Sequence, residues 1–437
     1  MNKKVAYYSL GCKVNLYESE SLINEFIKRG FVQGKFSDIC DVYLINTCSV
    51  THTGDSKSRK IIREAIARNK NAIIAVMGCY AQLKPEDIKE IEGVDIIVGT
   101  YNRTKIVDQV MDKLNKKESI PDLSLFSDIL KEKCYEEMKI DSYNDRTRGF
   151  VKIQDGCDNY CSYCTVPYAR GHIRSRKIED CVDEVSRLSQ NGMKEIVLSG
   201  INTGAYGKDL GITLADLLKE LVKIEGLGRI RISSIEATEI TIDLLDVIKG
   251  NAKHFCMHFH VPLQGGANST LANMKRKYTR EQYKAKIDLI RSYFPYVNIT
   301  TDILAGFSRE TEDDFDDSYS FIESMNFGEM HVFPYSRRER TLAYNYDMVV
   351  DPITKKARVN KLLSLNERQA LKYRKQFLGK TVEVIVEKNV NGTCFGHSSN
   401  YLEVEFKSKC KENEKVKVKI IKVSYPKCIG EEVLWNL

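Results

Sequence analysis

The sequence has no apolar run approaching the roughly 20 residues that a membrane-spanning helix needs, so nothing in it calls for a bilayer. It also lacks a secretory pattern. Behind Met1-Asn2-Lys3-Lys4 the apolar stretch stops at Gly11-Cys12-Lys13, and Asn15, Glu18 and Glu20 follow closely. Regular cysteine pairing is missing as well: the 13 cysteines are odd in number, spread over 437 residues, with three of them clustered. That distribution excludes a small secreted disulfide scaffold. No internal repeat and no low-complexity segment is present. What remains is a soluble globular chain, read as cytoplasmic, in which clustered thiolates more often mean metal than disulfide. Its length suffices for two or three domains. The formal charge of +7 is a mild basic excess, compatible with a nucleic-acid partner.

The residue pattern predicts an α/β multidomain fold. Val5–Leu10, Val42–Ile45, Ile73–Met77 and Asp95–Val98 are short apolar runs separated by helical stretches, one of them from about Asp55 to Arg68. This alternation implies a parallel sheet covered by helices, placed at residues 1–140. The polar stretch from about 101 to 147 reads as a helix plus a connector. A second alternating series starts at Phe150–Ile153 and continues through Glu195–Leu198, Arg229–Ile232, Phe255–Phe259, Val297–Thr300 and Met330–Phe333. Six strands separated by amphipathic helices fit a partial (β/α)6 barrel over residues 143–375, closed by a helix from about Arg358 to Phe377. In the tail, residues 376–437, Thr381–Val386 and Lys415–Ile420 alternate with period two and predict a small antiparallel β-barrel.

Chemistry concentrates in Cys157-Asp-Asn-Tyr-Cys161-Ser-Tyr-Cys164, on the loop after the first barrel strand, where barrel active sites lie. Three thiolates on one loop can ligate three corners of a cubane cluster and leave one iron open to substrate. Zinc would need a fourth ligand, for which His172 is the nearest candidate; three buried structural cysteines is the bland alternative. In the N-terminal region Cys12, Cys48 and Cys79 each follow a predicted strand, and Gly11 and Gly78 allow tight turns there. The C-terminal strand ends of a parallel sheet share one edge, so these three thiols should converge. The alternative is three unrelated buried cysteines. Cys40, Cys134, Cys181, Cys256, Cys394, Cys410 and Cys428 are read as structural or incidental.

The run from Gln154 through Cys157, Cys161 and Cys164 to Pro167, Arg170 and Gly171 closely resembles the methylthiotransferase branch of the radical S-adenosylmethionine (SAM) enzymes. The resemblance implies two 4Fe–4S clusters. The Cys157, Cys161 and Cys164 cluster would bind SAM and cleave it to a 5′-deoxyadenosyl radical. A second, on Cys12, Cys48 and Cys79, would hold the sulfur to be methylated and inserted. The runs around those three, Leu10 to Glu20, Asn46 to Thr51 and Met77 to Gln82, carry the same likeness. Strand-end positions Ser199, Gly200, Asn202, Glu236 and Gln264, with Arg276 on the helical segment that follows, are the expected SAM contacts, although each could be ordinary turn or capping chemistry. Arg170 and Arg174 can meet phosphate or cluster charge, with a solvated basic face as the alternative for Arg174.

Some positions depart from the family pattern. Ser308-Arg309 stands where Pro-Gly is usual, Arg340 where Gly is usual, and Gly265 where Ser is usual. These bear on the loops near the fifth and sixth barrel strands. The tail resembles a TRAM domain, an RNA-binding barrel, through Cys394-Phe395-Gly396-His397 and Asn400-Tyr401-Leu402. Lys415, Lys417, Lys419 and Lys422 would track phosphates while an exposed Phe395 or Tyr401 stacks on a base. A solvated lysine edge is the alternative.

The segment Thr47 to Arg59 is most similar to enzymes that add a methylthio group to C2 of N6-threonylcarbamoyladenosine at position 37 of tRNA. The implied partners are a tRNA anticodon stem-loop, a reducing electron donor and a sulfur source. Rival readings are the isopentenyladenosine enzyme of the same family, a ribosomal-protein methylthiotransferase and, in a different class, a non-catalytic iron–sulfur RNA-binding module.

Overall fold

Alternating apolar runs and amphipathic stretches become parallel strands and covering helices over most of the chain. The computed structural model describes residues 3–115, 122–143 and 146–433; parts of the polar 101–147 stretch lie outside these. Two compact units result, and they do not follow chain order. One comprises residues 1–141, 154–176 and 336–344, the other residues 142–153, 177–335 and 345–437.

In the first unit a five-stranded sheet runs edge to edge as Val32–Gln33, Lys4–Ser9, Val42–Thr47, Ile73–Gly78 and Ile96–Ile97, every pair parallel. All residues of Val42–Thr47 and Ile73–Gly78 are buried, as expected for strands covered on both faces. The helix after the second predicted strand begins earlier than its apolar face indicated, at His52, because the Thr51 hydroxyl accepts from Gly54 N at 3.0 Å and caps it.

The second unit holds six parallel strands: Arg148–Lys152, Glu195–Ser199, Arg229–Ile232, His258–His260, Asn298–Ala305 and Glu329–Pro334. They form two three-stranded sheets, joined through isolated bridges Ile230↔Phe255 and Ser234↔His260 into a half-barrel. The fourth strand is shorter and later than the run Phe255–Phe259 suggested: it spans His258–His260, and Phe255 keeps only an isolated bridge to Ile230. The closing helix starts before Arg358, at Pro352, where Asp351 caps it by accepting from Ile353 N and Thr354 N. One apolar core joins the strands to the helices, with Val151, Ile196, Leu198, Ile230 and Ile303 among its members.

The tail is a closed five-stranded barrel ordered Thr381–Val390, Thr393–Ser398, Glu403–Lys407, Cys428–Glu432 and Lys415–Lys422. Its two predicted strands pair directly, antiparallel, with Val382 opposite Val418. Val416, Val418 and Ile420 point into its core while Lys415, Lys417 and Lys419 point out. All 13 cysteines are free thiols; Cys40, Cys181, Cys256, Cys394 and Cys428 are buried.

Candidate functional site

The three central strands of the first unit end side by side, and a cysteine follows each end. Cys12 stands at the start of helix Lys13–Lys28, and Cys79 opens the short helix Cys79–Leu83. Gly11 and Gly78 have φ of +95° and +101°, and a Cβ on Gly11 would lie 3.0 Å from both Cβ and Sγ of Cys48. Any larger residue at position 11 would therefore press on the neighbouring thiol. The three thiols feel one another. Burial pushes Cys79 up to about 12, Arg170 opposes this, and Cys48 and Cys12 add to it. Cys48 is likewise raised by burial, with Cys12 contributing.

Asn15, one turn into the first helix, fastens this edge. Its Nδ2 donates to Leu10 O at 2.8 Å and Thr47 O at 3.0 Å, and its Oδ1 accepts from Arg170 Nη2 at 2.6 Å.

The second triplet lies in the same unit. Gln154–Asp155 and Arg174–Ser175 pair antiparallel and pinch the base of its loop. Within the loop Cys157 N donates to Gly171 O at 3.0 Å, Cys164 N to Cys161 O at 3.0 Å, and Val166 N to Cys164 Sγ at 3.4 Å. His172, the candidate fourth zinc ligand, instead pairs with Asp158 at 2.6 Å. Among the described residues neither cysteine triplet brings three ligand atoms within 4.8 Å of one another. Each donor set is three thiols, one set at strand ends and one on a single loop, and three thiols are the donor chemistry that a 4Fe–4S cluster takes.

Between the triplets lies a network of buried charge that the linear sequence did not announce. Arg170 Nη1 donates to Glu18 Oε1 at 2.7 Å and to Asp155 Oδ1 at 3.0 Å. Arg103 pairs with Glu18 and, at 2.9 Å, with Glu136; its Nη2 is 3.5 Å from Asp155. Arg174 Nη2 is 3.7 Å from the same carboxylate. Arg174 is buried, which corrects the solvated-face alternative: Asp155 draws it inward. Three arginines face three acids, so the charge balances in a largely buried network with only Glu136 at its edge. Arg338 Nη2 similarly donates to Asp55 at 2.6 Å and Ser49 at 2.8 Å, fixing the segment 336–344 to the turn after Cys48. The only hint of these partners was position, since Asn15 and Glu18 fall in the run around Cys12.

In the second unit Ser199, Gly200, Asn202, Glu236 and Gln264 end or follow successive barrel strands at their C-terminal edge, while Arg276 lies in the loop between helices Asn268–Asn273 and Arg280–Tyr293. Ser199 is buried and its hydroxyl donates to Val151 O at 3.2 Å. Arg276 pairs with Glu236 and donates to Tyr278 Oη at 2.8 Å and Pro262 O at 3.2 Å. Gln264, with φ of +71°, extends the ladder: its N donates to Asp302 O at 2.8 Å.

The unusual residues keep the backbone that glycine would give. Arg309 and Arg340 have φ of +68° and +66°. Arg309 is held by Asp347 at 2.6 Å and lies 4.3 Å from the Tyr346 ring centre. Arg340 is exposed and makes no ion pair among the described residues. A Cβ on Gly265 would meet Thr270 Cγ2 at 2.9 Å, so serine there would displace that methyl.

At the N-terminal end of the half-barrel Glu195 accepts from Arg229 Nε at 2.6 Å and Arg231 Nε at 2.7 Å. Tyr401, from the small barrel, is not the exposed base-stacking ring expected. It stacks between His258 and His397, at centroid distances of 4.8 and 4.6 Å, with the Arg231 guanidinium 4.6 Å away. Asn298 Nδ2 donates to Asn400 O at 2.9 Å, and Arg229 Nη2 to His397 O at 2.8 Å. Phe395 is half-buried beneath the Lys427 ammonium at 4.5 Å.

Residues 4–99 match an uncharacterized protein family, UPF0004, and residues 151–322 match the radical SAM superfamily. The threonylcarbamoyladenosine tRNA methylthiotransferase MtaB of Bacillus subtilis (strain 168) is 41% identical over 437 residues, covering 98% of this chain and 96% of that protein. The MtaB of Aquifex aeolicus is 37% identical over 88% of this chain and 93% of its own length. The tRNA-2-methylthio-N(6)-dimethylallyladenosine synthase of Thermoanaerobacter pseudethanolicus is 38% identical, over 88% of this chain and 83% of its own length. Among solved structures, the radical SAM methyltransferase TsrM of Kitasatospora setae aligns with a TM-score of 0.55 at 14% identity, covering 76% of this chain and 73% of that one. At that identity the likeness concerns fold.

Proposed function

The chain belongs to the radical SAM tRNA methylthiotransferases, and from that premise we propose that it adds a methylthio group to C2 of N6-threonylcarbamoyladenosine at position 37 of tRNA. The observation that carries the reading is the pair of cysteine triplets in one compact unit, three at sheet ends and three on one loop. Cys157, Cys161 and Cys164 hold the SAM-cleaving cluster, and Cys12, Cys48 and Cys79 the sulfur-donating one. When bound, the two 4Fe–4S clusters and SAM supply the radical, the methyl group and the sulfur.

The protein's own residues orient and shield. Arg170 sets positive charge beside Cys79, which favours the thiolate form that ligation needs. Asn15 locks the strand ends that carry Cys12 and Cys48. Ser199, Gly200, Asn202, Glu236 and Gln264 are proposed to face SAM. Arg276, paired to Glu236, acts by positioning that carboxylate. The lysine face of the tail barrel is proposed to take phosphates of the anticodon stem-loop, in the cytoplasm. The relatives acting on threonylcarbamoyladenosine reach 41% identity against 38% for the dimethylallyladenosine synthase, which favours the former substrate.

Nucleoside mass spectrometry of tRNA from cells with and without the gene tests this. Loss of the methylthio nucleoside, with threonylcarbamoyladenosine accumulating, is the expected result. Loss of the isopentenyl counterpart instead would move the substrate, and an unchanged profile would reject tRNA altogether.

A further inference from the structure

Three adjacent strands of the half-barrel carry a cluster that none of the chemistry above uses. His260 ends the strand His258–His260, Asp302 lies in Asn298–Ala305, and His331 lies in Glu329–Pro334. The parallel register sets His260 opposite Thr300 and Asp302 opposite His331. Strand period two puts Thr300 and Asp302 on the same face, so the three side chains meet. His260 Nε2 is 3.2 Å from Asp302 Oδ2, and His331 Nδ1 is 3.1 Å from Asp302 Oδ1. One ligand atom from each lies within 4.8 Å of the others. Around an ion with bonds of about 2.0–2.1 Å, tetrahedral ligands stand roughly 3.3 Å apart. The two histidine–carboxylate distances, each to a different oxygen of Asp302, already match that spacing.

Its support also resembles that of a ligand set. The far nitrogen of His260, Nδ1, is 2.9 Å from Thr300 Oγ1, and the same hydroxyl meets His258 Nε2 at 2.9 Å. Such outer contacts fix the ring and leave Nε2 aimed at the centre. Burial works to raise the Asp302 carboxyl, yet hydrogen bonds with His260 and His331 hold it below the usual carboxylate range. The cluster also opens outward: the His331 side chain is 53% exposed and that of Asp302 25%.

We propose that His260, Asp302 and His331 form a site for a divalent first-row transition ion, with coordination positions left for an oxygen ligand. Two imidazoles and one carboxylate suit that class of ion better than magnesium or calcium. The site does not depend on the substrate assigned above, so each can fail alone.

The test uses the full chain with its iron–sulfur clusters reconstituted and oxidised. Manganese(II) is titrated in, and the free aqua ion is followed by electron paramagnetic resonance, because thiolates compete weakly for manganese. Zinc(II) is titrated in parallel by calorimetry. About one equivalent of either ion should bind, and His331→Ala and Asp302→Asn should weaken it at least ~10-fold at unchanged iron content. The exposed position of His331 makes its variant the safer in folding. The proposal is overturned if neither ion binds stoichiometrically, or if His331→Ala retains wild-type affinity for the ions that do.

Discussion

Arg170, six residues past Cys164, donates to Glu18, six residues past Cys12, at 2.7 Å in the buried interior of the first unit. One ion pair thereby connects the loop of one cysteine triplet to the helix that begins at the other. Asp155, Arg103, Glu136 and Arg174 complete the balance of charge around it.

Replacing Arg170 by methionine keeps its bulk but leaves Glu18 and Asp155 facing each other without their main partner. A loss of about 3–5 kcal/mol is expected, since a buried charge is left uncompensated. Thermal unfolding should drop, and iron content should fall with it, because Arg170 also borders Cys79. Unchanged melting would show that water replaces the guanidinium.

The two triplets should separate by function. Cys157→Ala, Cys161→Ala or Cys164→Ala is expected to abolish reductive SAM cleavage. Cys12→Ala, Cys48→Ala or Cys79→Ala should leave cleavage measurable and stop methylthiolation. Assays of 5′-deoxyadenosine and of modified tRNA distinguish these outcomes; cleavage surviving in all three barrel-loop variants would contradict the assignment.

Arg340 has a left-handed backbone, an exposed side chain and no ion pair among the described residues. Glycine relieves that conformation, and Arg340→Gly should stabilise by about 0.5–1 kcal/mol after the added freedom of the unfolded chain is subtracted. At Arg309 the gain should be smaller, because the Asp347 pair and the Tyr346 contact are lost. Urea unfolding of both variants measures the difference.

Glu195 gives the second unit an acid-sensitive lock. Burial opposes its charge, but Arg231 and then Arg229 hold the carboxyl down at about 2, against a usual 4.5. A folded value below the unfolded one means that the contribution is complete above about pH 4.5. It is lost as the pH falls toward 2, and amounts to something on the order of 3 kcal/mol. Glu195→Gln should be less stable at neutral pH and lose this part of its acid dependence, as read by denaturant midpoints between pH 5 and 3.

The sheet, the half-barrel and the placement of Cys12, Cys48 and Cys79 at strand ends were legible because each depends on local pattern: strand period, helix period and a cysteine just past a strand. The buried charges were not. Arg229-Ile-Arg231-Ile alternates like a strand with one face in water, yet both arginines are buried, since that face turns into a polar barrel interior holding Glu195. Glu18 and Arg103 are distant in the chain and sit among ordinary surface-type residues, so only tertiary packing reveals the pair. Tyr401 was misjudged for the same reason: of the groups on its ring only His397 is near in sequence, while His258 and Arg231 are far away.

The seating of Tyr401 has a consequence for how such chains can be recombined. The small tail barrel is not a tethered accessory that can be traded for another of its kind. Its turn Ser399-Asn400-Tyr401 acts as a moulded stopper for one particular barrel floor, shaped by Arg229, Arg231, His258 and Asn298. A graft that brought a foreign tail without a matching floor would leave two arginines without carbonyl acceptors and open the base to solvent. Inheritance should therefore have tied the two together, and engineers seeking new RNA preference should recolour the lysine strands rather than replace the part.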